Sequence, residues 1–337
     1  MVKRLLVPVL CVLLASCSVD AGADEPGAGA GAFGPIRYSA GDEPARSDPS
    51  FDDSSWTMLD IPATVDLRGG DGWFWLRTTV AVPPAMAGRP VWFESGKIDC
   101  AFDLFAGGTY IGSRGGLPPR YNARPQTNSV ILIPATAIKD GSVNLALRCY
   151  YSGTLSKIPE FRLADAARAD KVTYVMTFFV STINILIAVL CLFMGCYFLA
   201  GFASRSSDIA SLYYALSLFL VSVYFIDMGS ERIMIGGLMQ RAVARACLAG
   251  SMAFTLLFFV KYFGARRYKA AKITAAAQIA VFAVAYILMA QDDAAINLLF
   301  NLSLLPVFGI IVIVYVIVLK ASRQGQKDAM PILAGLP

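Results

Sequence analysis

Residues 172–199 limit the fold more than any other stretch. They read VTYVMTFFVSTINILIAVLCLFMGCYFL, with no charge after Lys171. A hydrocarbon core of about 30 Å needs roughly 20 apolar residues of helix, so this stretch can span with tilt. Four more such stretches follow, at 209–226, 243–263, 273–290 and 296–319. Five in succession argue against buried soluble helices. After a short N-terminal run, nothing before residue 172 is apolar enough for a bilayer. The chain divides into a water-facing front half and a membrane half.

Composition follows that division. The 337 residues are 56% hydrophobic and 16% charged, against about 45–50% and about 25% for a soluble domain. The net charge of +5 does not point to nucleic acid, because the basic residues of the back half lie between apolar spans, where orientation signals lie. The sequence has no histidine. That removes imidazole metal sites, His-assisted nucleophiles, imidazole pH sensing and a phospho-accepting histidine.

Lys3 and Arg4 precede the apolar run 5–15, the form of a secretory signal. Leu14-Ala15-Ser16-Cys17 reads as a lipobox, which makes 1–17 the signal sequence and Cys17 a lipidated N-terminus; Ala21-Gly22-Ala23 offers an ordinary cleavage site instead. Residues 18–35 form a Gly/Ala-rich flexible linker.

Residues 36–165 read as short strands bounded by Gly, Pro, Asp and Asn. Strands are expected at 73–82, 91–93, 100–105, 110–111, 129–133 and 144–151. Many short strands at regular spacing point to a β-sandwich. Trp56, Trp73 and Trp92 fit a packing role. The polar loop 115–122 is the candidate ligand contact, because loops at the end of a sandwich commonly carry sites. Arg120 gives a donor fork, Tyr121 a stacking face and Asn122 an amide, and Trp75 of the long strand joins them. Cys100 and Cys149 fall in strands; an oxidising compartment allows a disulfide between them. No pair of carboxylates has the spacing a glycosidase needs, so no catalytic residue, metal or cofactor is assigned and the chain is read as a non-enzyme.

Four patches carry a resemblance. Ser54-Ser55-Trp56 with Ile61-Pro62, Gly72-Trp73-Phe74-Trp75-Leu76-Arg77, the hairpin 105–112 and the strand 139–148 are similar, in order, to the galactose-binding-like jelly roll at the front of β-galactosidase-type glycosidases. Gly107-Gly108 stands where that fold usually has Asn-Gly. The resemblance implies an all-β jelly-roll sandwich, a non-catalytic accessory domain in those enzymes.

In the membrane half, the first loop carries Arg205, the third Arg266, Arg267, Lys269 and Lys272, and the fifth Lys320, Arg323 and Lys327; the fourth has Asp292 and Asp293. The odd loops therefore face the cytoplasm, and the front domain lies outside, as the signal requires. A further apolar run, 329–336, is expected to be the start of a sixth span, cut short. The amides Asn184, Gln278, Asn297 and Asn301 are expected to bond between helices. Pro306 is expected to kink the fifth span. No ionisable residue is assigned near mid-span, no row of acids marks a transport path, and no span shows a clear small-xxx-small face.

This layout resembles the bacterial seven-transmembrane receptors with diverse intracellular signalling modules, over about 36–337. Glu231-Arg232, and Tyr262-Phe263 beside the basic third loop, are similar to that family's pattern. The resemblance implies an all-β jelly roll (36–165) followed by an α-helical multi-span bundle (172–337) in the bacterial inner membrane, with the N-terminal domain outside. It implies a sensor that binds a small extracytoplasmic ligand, with carbohydrate the first candidate. The sensor would relay occupancy to a cytoplasmic output module or signalling partner, with homodimerisation suited to that role. The alternative is a non-signalling envelope protein using the sandwich for protein interaction or adhesion.

Overall fold

The computed structural model describes residues 32–123, 127–230, 237–264, 268–290, 292–326 and 329. The signal, Cys17 and most of the linker lie outside the described residues, as do Glu231, Arg232 and most of 327–337. The chain forms two compact units.

The first is a two-layer β-sandwich. In chain order its strands are β1 (Ala32–Phe33), β2 (Ile36–Ala40), β3 (Thr57–Leu59), β4 (Ala63–Asp66), β5 (Trp73–Ala81), β6 (Val91–Glu94), β7 (Ala101–Ala106), β8 (Thr109–Arg114), β9 (Val130–Ile133), β10 (Ser142–Tyr150), β11 (Leu155–Ile158) and β12 (Arg162–Ala164). One layer is a seven-stranded sheet in the order β3-β2-β5-β10-β7-β8, with β1 also on β5. The other layer comprises β12-β6-β9 and the pair β11-β4. All pairs are antiparallel. The core between the layers takes alternate residues: Phe74, Leu76 and Val80 of β5 and Leu145, Leu147 and Cys149 of β10 meet Phe93, Ile131 and Leu163. Phe93 and Phe102 lock edge to face across the layers, centroids 6.3 Å apart.

Six strands stand close to their expected places. β1, β2, β3, β4, β11 and β12 were not expected, β1 falling at the end of the stretch read as flexible linker and pairing with β5; sequences such as ATVD, LSKI and RLA are too short and polar to show a period.

The sandwich unit continues to Phe178 and takes in Gly237 and Leu238. It therefore includes helix α1 (Ala166–Val175), capped by Asp165, whose side chain accepts from the Arg168 amide. A π-helical segment, Met176–Thr182, joins α1 to α2 (Ile183–Ser204) without a break. The expected first span thus starts six residues early, because the cap at Asp165 and the packing of α1 against β6, β9 and β12 override its polar sequence.

The second unit holds α2, α3 (Ile209–Gly229), the rest of α4 (Gly237–Tyr262), α5 (Tyr268–Gln278), α6 (Val284–Leu288) and α7 (Asp293–Arg323). A second π segment, Ile279–Ala283, joins α5 to α6. Five helices are long and apolar enough to cross a membrane. α4 is central, with 56% of its most apolar window buried against 11–22% in the others. Ala242, Ala246, Ala249 and Ala253 are buried along it. This corrects the expectation that no span has a small-residue face: the alanines let neighbours approach closely. Ala253, Leu256 and Val260 pack with Ala271, Ala275, Ile310 and Val314 from α5 and α7.

Of the amides, Gln278 donates to the Ala249 carbonyl (3.2 Å) and Asn297 accepts from Arg245 (3.0 Å), both between helices. Asn184 instead donates to Val180, one turn back on its own helix (2.7 Å). Arg245, two turns into α4, also donates to the Ile296 carbonyl and lies 4.7 Å from the Phe300 ring centroid. A charge inside a span is held where it finds such partners. The sequence reading gave Arg245 no role.

Candidate functional site

The chemistry-bearing residues of the sandwich lie on the outer face of the large sheet. Side chains alternate along a strand. The register therefore puts Trp73, Trp75, Arg77 and Thr79 of β5 on one face with Asn144, Ala146, Arg148 and Tyr150 of β10. Arg37 of β2 sits opposite Arg77, and Asp103 of β7 opposite Arg148. A half-exposed sheet would be polar here. Instead Phe74 to Thr78 are buried without interruption, so something covers this face.

The cover is the segment 42–53. Arg148 grips Asp42 through two nitrogens, Nε at 2.6 Å. Arg77 is 2% exposed and donates to three carbonyls of the segment: Phe51 and Asp48 at 3.0 Å, Pro49 at 3.4 Å. Its Nε is 3.4 Å from Asp53, which also accepts from Arg37. The Arg77 guanidinium lies 5.7 Å from the Phe51 ring centroid and 5.9 Å from that of Trp56. Burial pulls the Arg77 pKa below the ordinary arginine value, while Asp53 and Asp48 pull it back. Burying one guanidinium is tolerable because its two terminal nitrogens bond the segment's carbonyls and its Nε, which makes no hydrogen bond among the described residues, stands beside the Asp53 carboxylate.

Beside this clamp the face opens. A cleft of about 190 Å³ is lined by Arg37, Phe51, Asp53, Arg77, Thr79 and Asn144, among others. The terminal nitrogens of Arg77 are engaged with the covering segment. The Asn144 amide, the Thr79 hydroxyl and the remaining Arg37 donors have no hydrogen-bond partner among the described residues.

The residues singled out from sequence lie elsewhere. Trp75 is 0% exposed, under the cover and against Phe105, centroids 5.8 Å apart. Tyr121 and Asn122 are 6% and 9% exposed. The Tyr121 ring stands edge-on to Tyr150 at 5.0 Å. Asn122 closes the loop by exchanging backbone hydrogen bonds with Gly116, both 2.9 Å. Gly115, at φ 72°, has no room for a side chain: a Cβ would lie 2.1 Å from the Asn122 carbonyl. Arg120 alone stands exposed at the loop tip. Tyr121 and Asn122 are neighbours, and Trp75 lies along the sheet from them. Cys100 and Cys149 are fully buried thiols side by side. Burial, then Cys100 itself, pushes the Cys149 thiol well above its usual pKa.

The loop has a different neighbour. The backbone of Gly237 lies against it, so that a Cβ there would sit 2.0 Å from the Tyr121 carbonyl and 2.9 Å from the Asn122 Cβ. Leu238 packs on the sandwich core. Thus the first residues of α4 are seated on the loop expected to hold ligand. At the other attachment, Arg168 of α1 donates from Nε to Glu94 of β6 (2.7 Å), and Asn128 donates to the same carboxylate (2.8 Å). Burial would raise the Glu94 pKa, but the hydrogen bonds from Arg168 and Asn128 outweigh it and hold it below the ordinary value. Sequence reasoning missed Arg37, Asp53, Asn144, Glu94 and Arg168; Asp53 falls in the Asp-Asp-Ser-Ser-Trp patch, whose partners lie far away in sequence.

The family model described as 7TM diverse intracellular signalling matches residues 180–336. The membrane half of this chain matches the model of that family. The 7TM diverse intracellular signalling assignment makes the chain a multi-pass membrane protein of receptor type. No curated protein sequence matches the chain significantly. Solved structures similar to its front part include a calcium-binding mutant of Bacteroides uniformis beta-glucuronidase 2, at 16% identity over 40% of this chain and 18% of that one, TM-score 0.32. A glycosyl hydrolase family 2 member from Bacteroides cellulosilyticus matches at 18% identity over 39% and 19%, TM-score 0.32. A beta-glycosidase from Bacteroides vulgatus matches at 15% over 41% and 20%, TM-score 0.31. The chain spans a fifth or less of the length of those enzymes.

Proposed function

We propose that this chain is the input part of an inner-membrane sensor. Its carbohydrate-binding-like sandwich, outside the cytoplasm, takes up a small ligand. Occupancy then passes through the helices to a cytoplasmic output module or signalling partner. The observation that carries the reading is the double attachment of the sandwich to the helices. It grips α1 through the buried Glu94–Arg168 pair, and it seats the first residues of α4 on Tyr121 and Asn122. α1 runs on into the first span, and α4 is the most buried helix of the bundle. A shift within the sandwich therefore displaces the starts of two spanning helices. The receptor-type family supports the same reading. The π segment Met176–Thr182 lies where α1 leaves the sandwich, and such segments frequently occur at functional sites.

A ligand moves such an equilibrium only by binding one arrangement more tightly than the other. The test uses the full chain in nanodiscs. It is screened by thermal melting against sugars, carboxylates and glycan fragments, and hits are followed by hydrogen exchange. A ligand that raises the melting temperature and changes protection in α1 and the first turn of α4 supports the relay. Binding with no change beyond the sandwich defeats the relay, and a flat response across a broad panel defeats the small-molecule sensor.

A further inference from the structure

The cleft beside the Arg77 clamp has the composition of a ligand site. Its walls are mostly polar, so an apolar molecule would leave Asn144 and Thr79 dehydrated and unpartnered, at a cost. Its free groups alternate in kind. Arg37 offers only donors, Asp53 only acceptors, and Asn144 and Thr79 offer both. Hydroxyl groups, which donate and accept, can satisfy that mixture; a bare inorganic anion would pair with Arg37 but meet the Asp53 carboxylate. Arg37 keeps donors beyond the one that Asp53 accepts, so the cleft can pair with one carboxylate on the ligand. At about 190 Å³ it is smaller than the roughly 300–1,000 Å³ that suits drug-sized ligands. It fits one small molecule, or one terminal residue of a longer one.

We infer that this cleft, rather than the loop 115–122, is the ligand site, and that it takes a small polyhydroxylated carboxylate, either a free sugar acid or the acidic end of a glycan. Arg37 pairs with the carboxylate. Asp53 accepts from a hydroxyl, Asn144 and Thr79 bond to further hydroxyls, and the Phe51 ring lines the wall. Arg77 touches the cleft but acts as a positioning residue, since its donors are spent on the covering segment. The inference rests on the sensor reading and adds the site and ligand class to it. It also gives the relay a route. Thr79 and Asn144 at the cleft share one face of β5 and β10 with Trp73 and Tyr150, six residues or about 20 Å along the strand. Tyr150 is the residue against which Tyr121 packs.

The test is calorimetric titration of the full chain in nanodiscs with D-glucuronate, D-galacturonate, digalacturonate, D-glucose and acetate. The monomeric acids are expected to bind at least tenfold more tightly than glucose, and acetate not to bind measurably. Digalacturonate binding more tightly than the monomer assigns the site to a glycan end; the reverse assigns it to the free acid. Arg37→Gln, Asn144→Ala and Thr79→Val are each expected to weaken the acids about tenfold or more, while Arg120→Ala changes nothing. Arg37 also holds Asp53, so Thr79→Val, at an exposed position with no internal bond, keeps the test sound if Arg37→Gln fails to fold. Acids that bind undiminished in the Asn144 and Thr79 variants would overturn the site. Glucose binding as tightly as the acids, or no acid binding at all, would overturn the ligand class. Either failure leaves the sensor reading standing if another ligand changes exchange in α4. Acids that bind at the cleft without changing α1 or α4 leave the site standing and defeat the sensor reading.

Discussion

Arg77 shows how much of the sandwich can hang on one side chain. It is 2% exposed, and its donors hold the carbonyls of Asp48, Pro49 and Phe51 together with Asp53. Removing it strands a carboxylate and three carbonyls under a closed segment. Breaking a buried, hydrogen-bonded charge costs about 3–5 kcal/mol. Arg77→Ala is therefore expected to lower sandwich stability by that order, and Arg77→Lys to recover only a part, because an ammonium cannot reproduce the planar fork. All four tryptophans, at 56, 73, 75 and 92, lie in the sandwich, so urea unfolding followed by tryptophan fluorescence reads it selectively. An Arg77→Ala midpoint equal to the native one would refute the clamp. The arginine was visible in the Gly-Trp-Phe-Trp-Leu-Arg patch, but its role was not, because its partners are carbonyls 26 to 29 residues away. For the same reason Trp75 and Tyr121 passed as candidate ligand contacts. Sequence shows that an aromatic is present but not whether distant chain covers it.

Among the elements, α1 depends on its pairing with the sandwich. A ten-residue helix is marginal by itself. Glu94 and Arg168 tie it to β6 through a pair whose carboxylate is almost fully enclosed. Because the folded-state pKa of Glu94 lies below its ordinary value of 4.5, the pair contributes stability that is complete above that value and lost as pH falls through the folded-state pKa. Other carboxylates add to acid unfolding, so the informative comparison is between native protein and Glu94→Gln. The variant is expected to have the lower urea midpoint at neutral pH and the smaller further loss on acidification below pH 4.5. Parallel curves for the two proteins would show that the pair does not carry this linkage. Helices α2, α3 and α7, and the run from α5 through α6, were legible because long apolar stretches have few alternatives. The start of α1 was not, since 166–171 carries Arg168, Asp170 and Lys171 and so falls outside any apolar span. The small-residue face of α4 was readable as Ala242-x-x-x-Ala246-x-x-x-Gly250, but its alanines count equally as plain apolar residues.

At the scale of the whole molecule, orientation is set by charge that the helices leave in their loops. α2 ends at Ser204 and is followed by Arg205; α5 begins among Lys269 and Lys272; α7 closes on Lys320 and Arg323. The connection before α7 carries Asp292 and no basic residue. Retaining Lys and Arg on the cytoplasmic side puts the first, third and fifth loops inside. The proposal that the sandwich lies outside follows from that charge pattern, and an N-terminal secretion signal would deliver it to the same side. Two independent constraints thus meet in one arrangement. Phosphatase fusions placed after Gly229 and after Asp292 are expected to be active, and fluorescent-protein fusions after Ser204, Gly264 and Arg323 to be bright. The reverse pattern would put the sandwich in the cytoplasm, and with it fall both the extracytoplasmic ligand and the direction of the relay. A mixed pattern at the second loop alone would bear on the seat of α4. Gly237 and Leu238 pack on the sandwich, so a cytoplasmic result after Gly229 would be at odds with that packing.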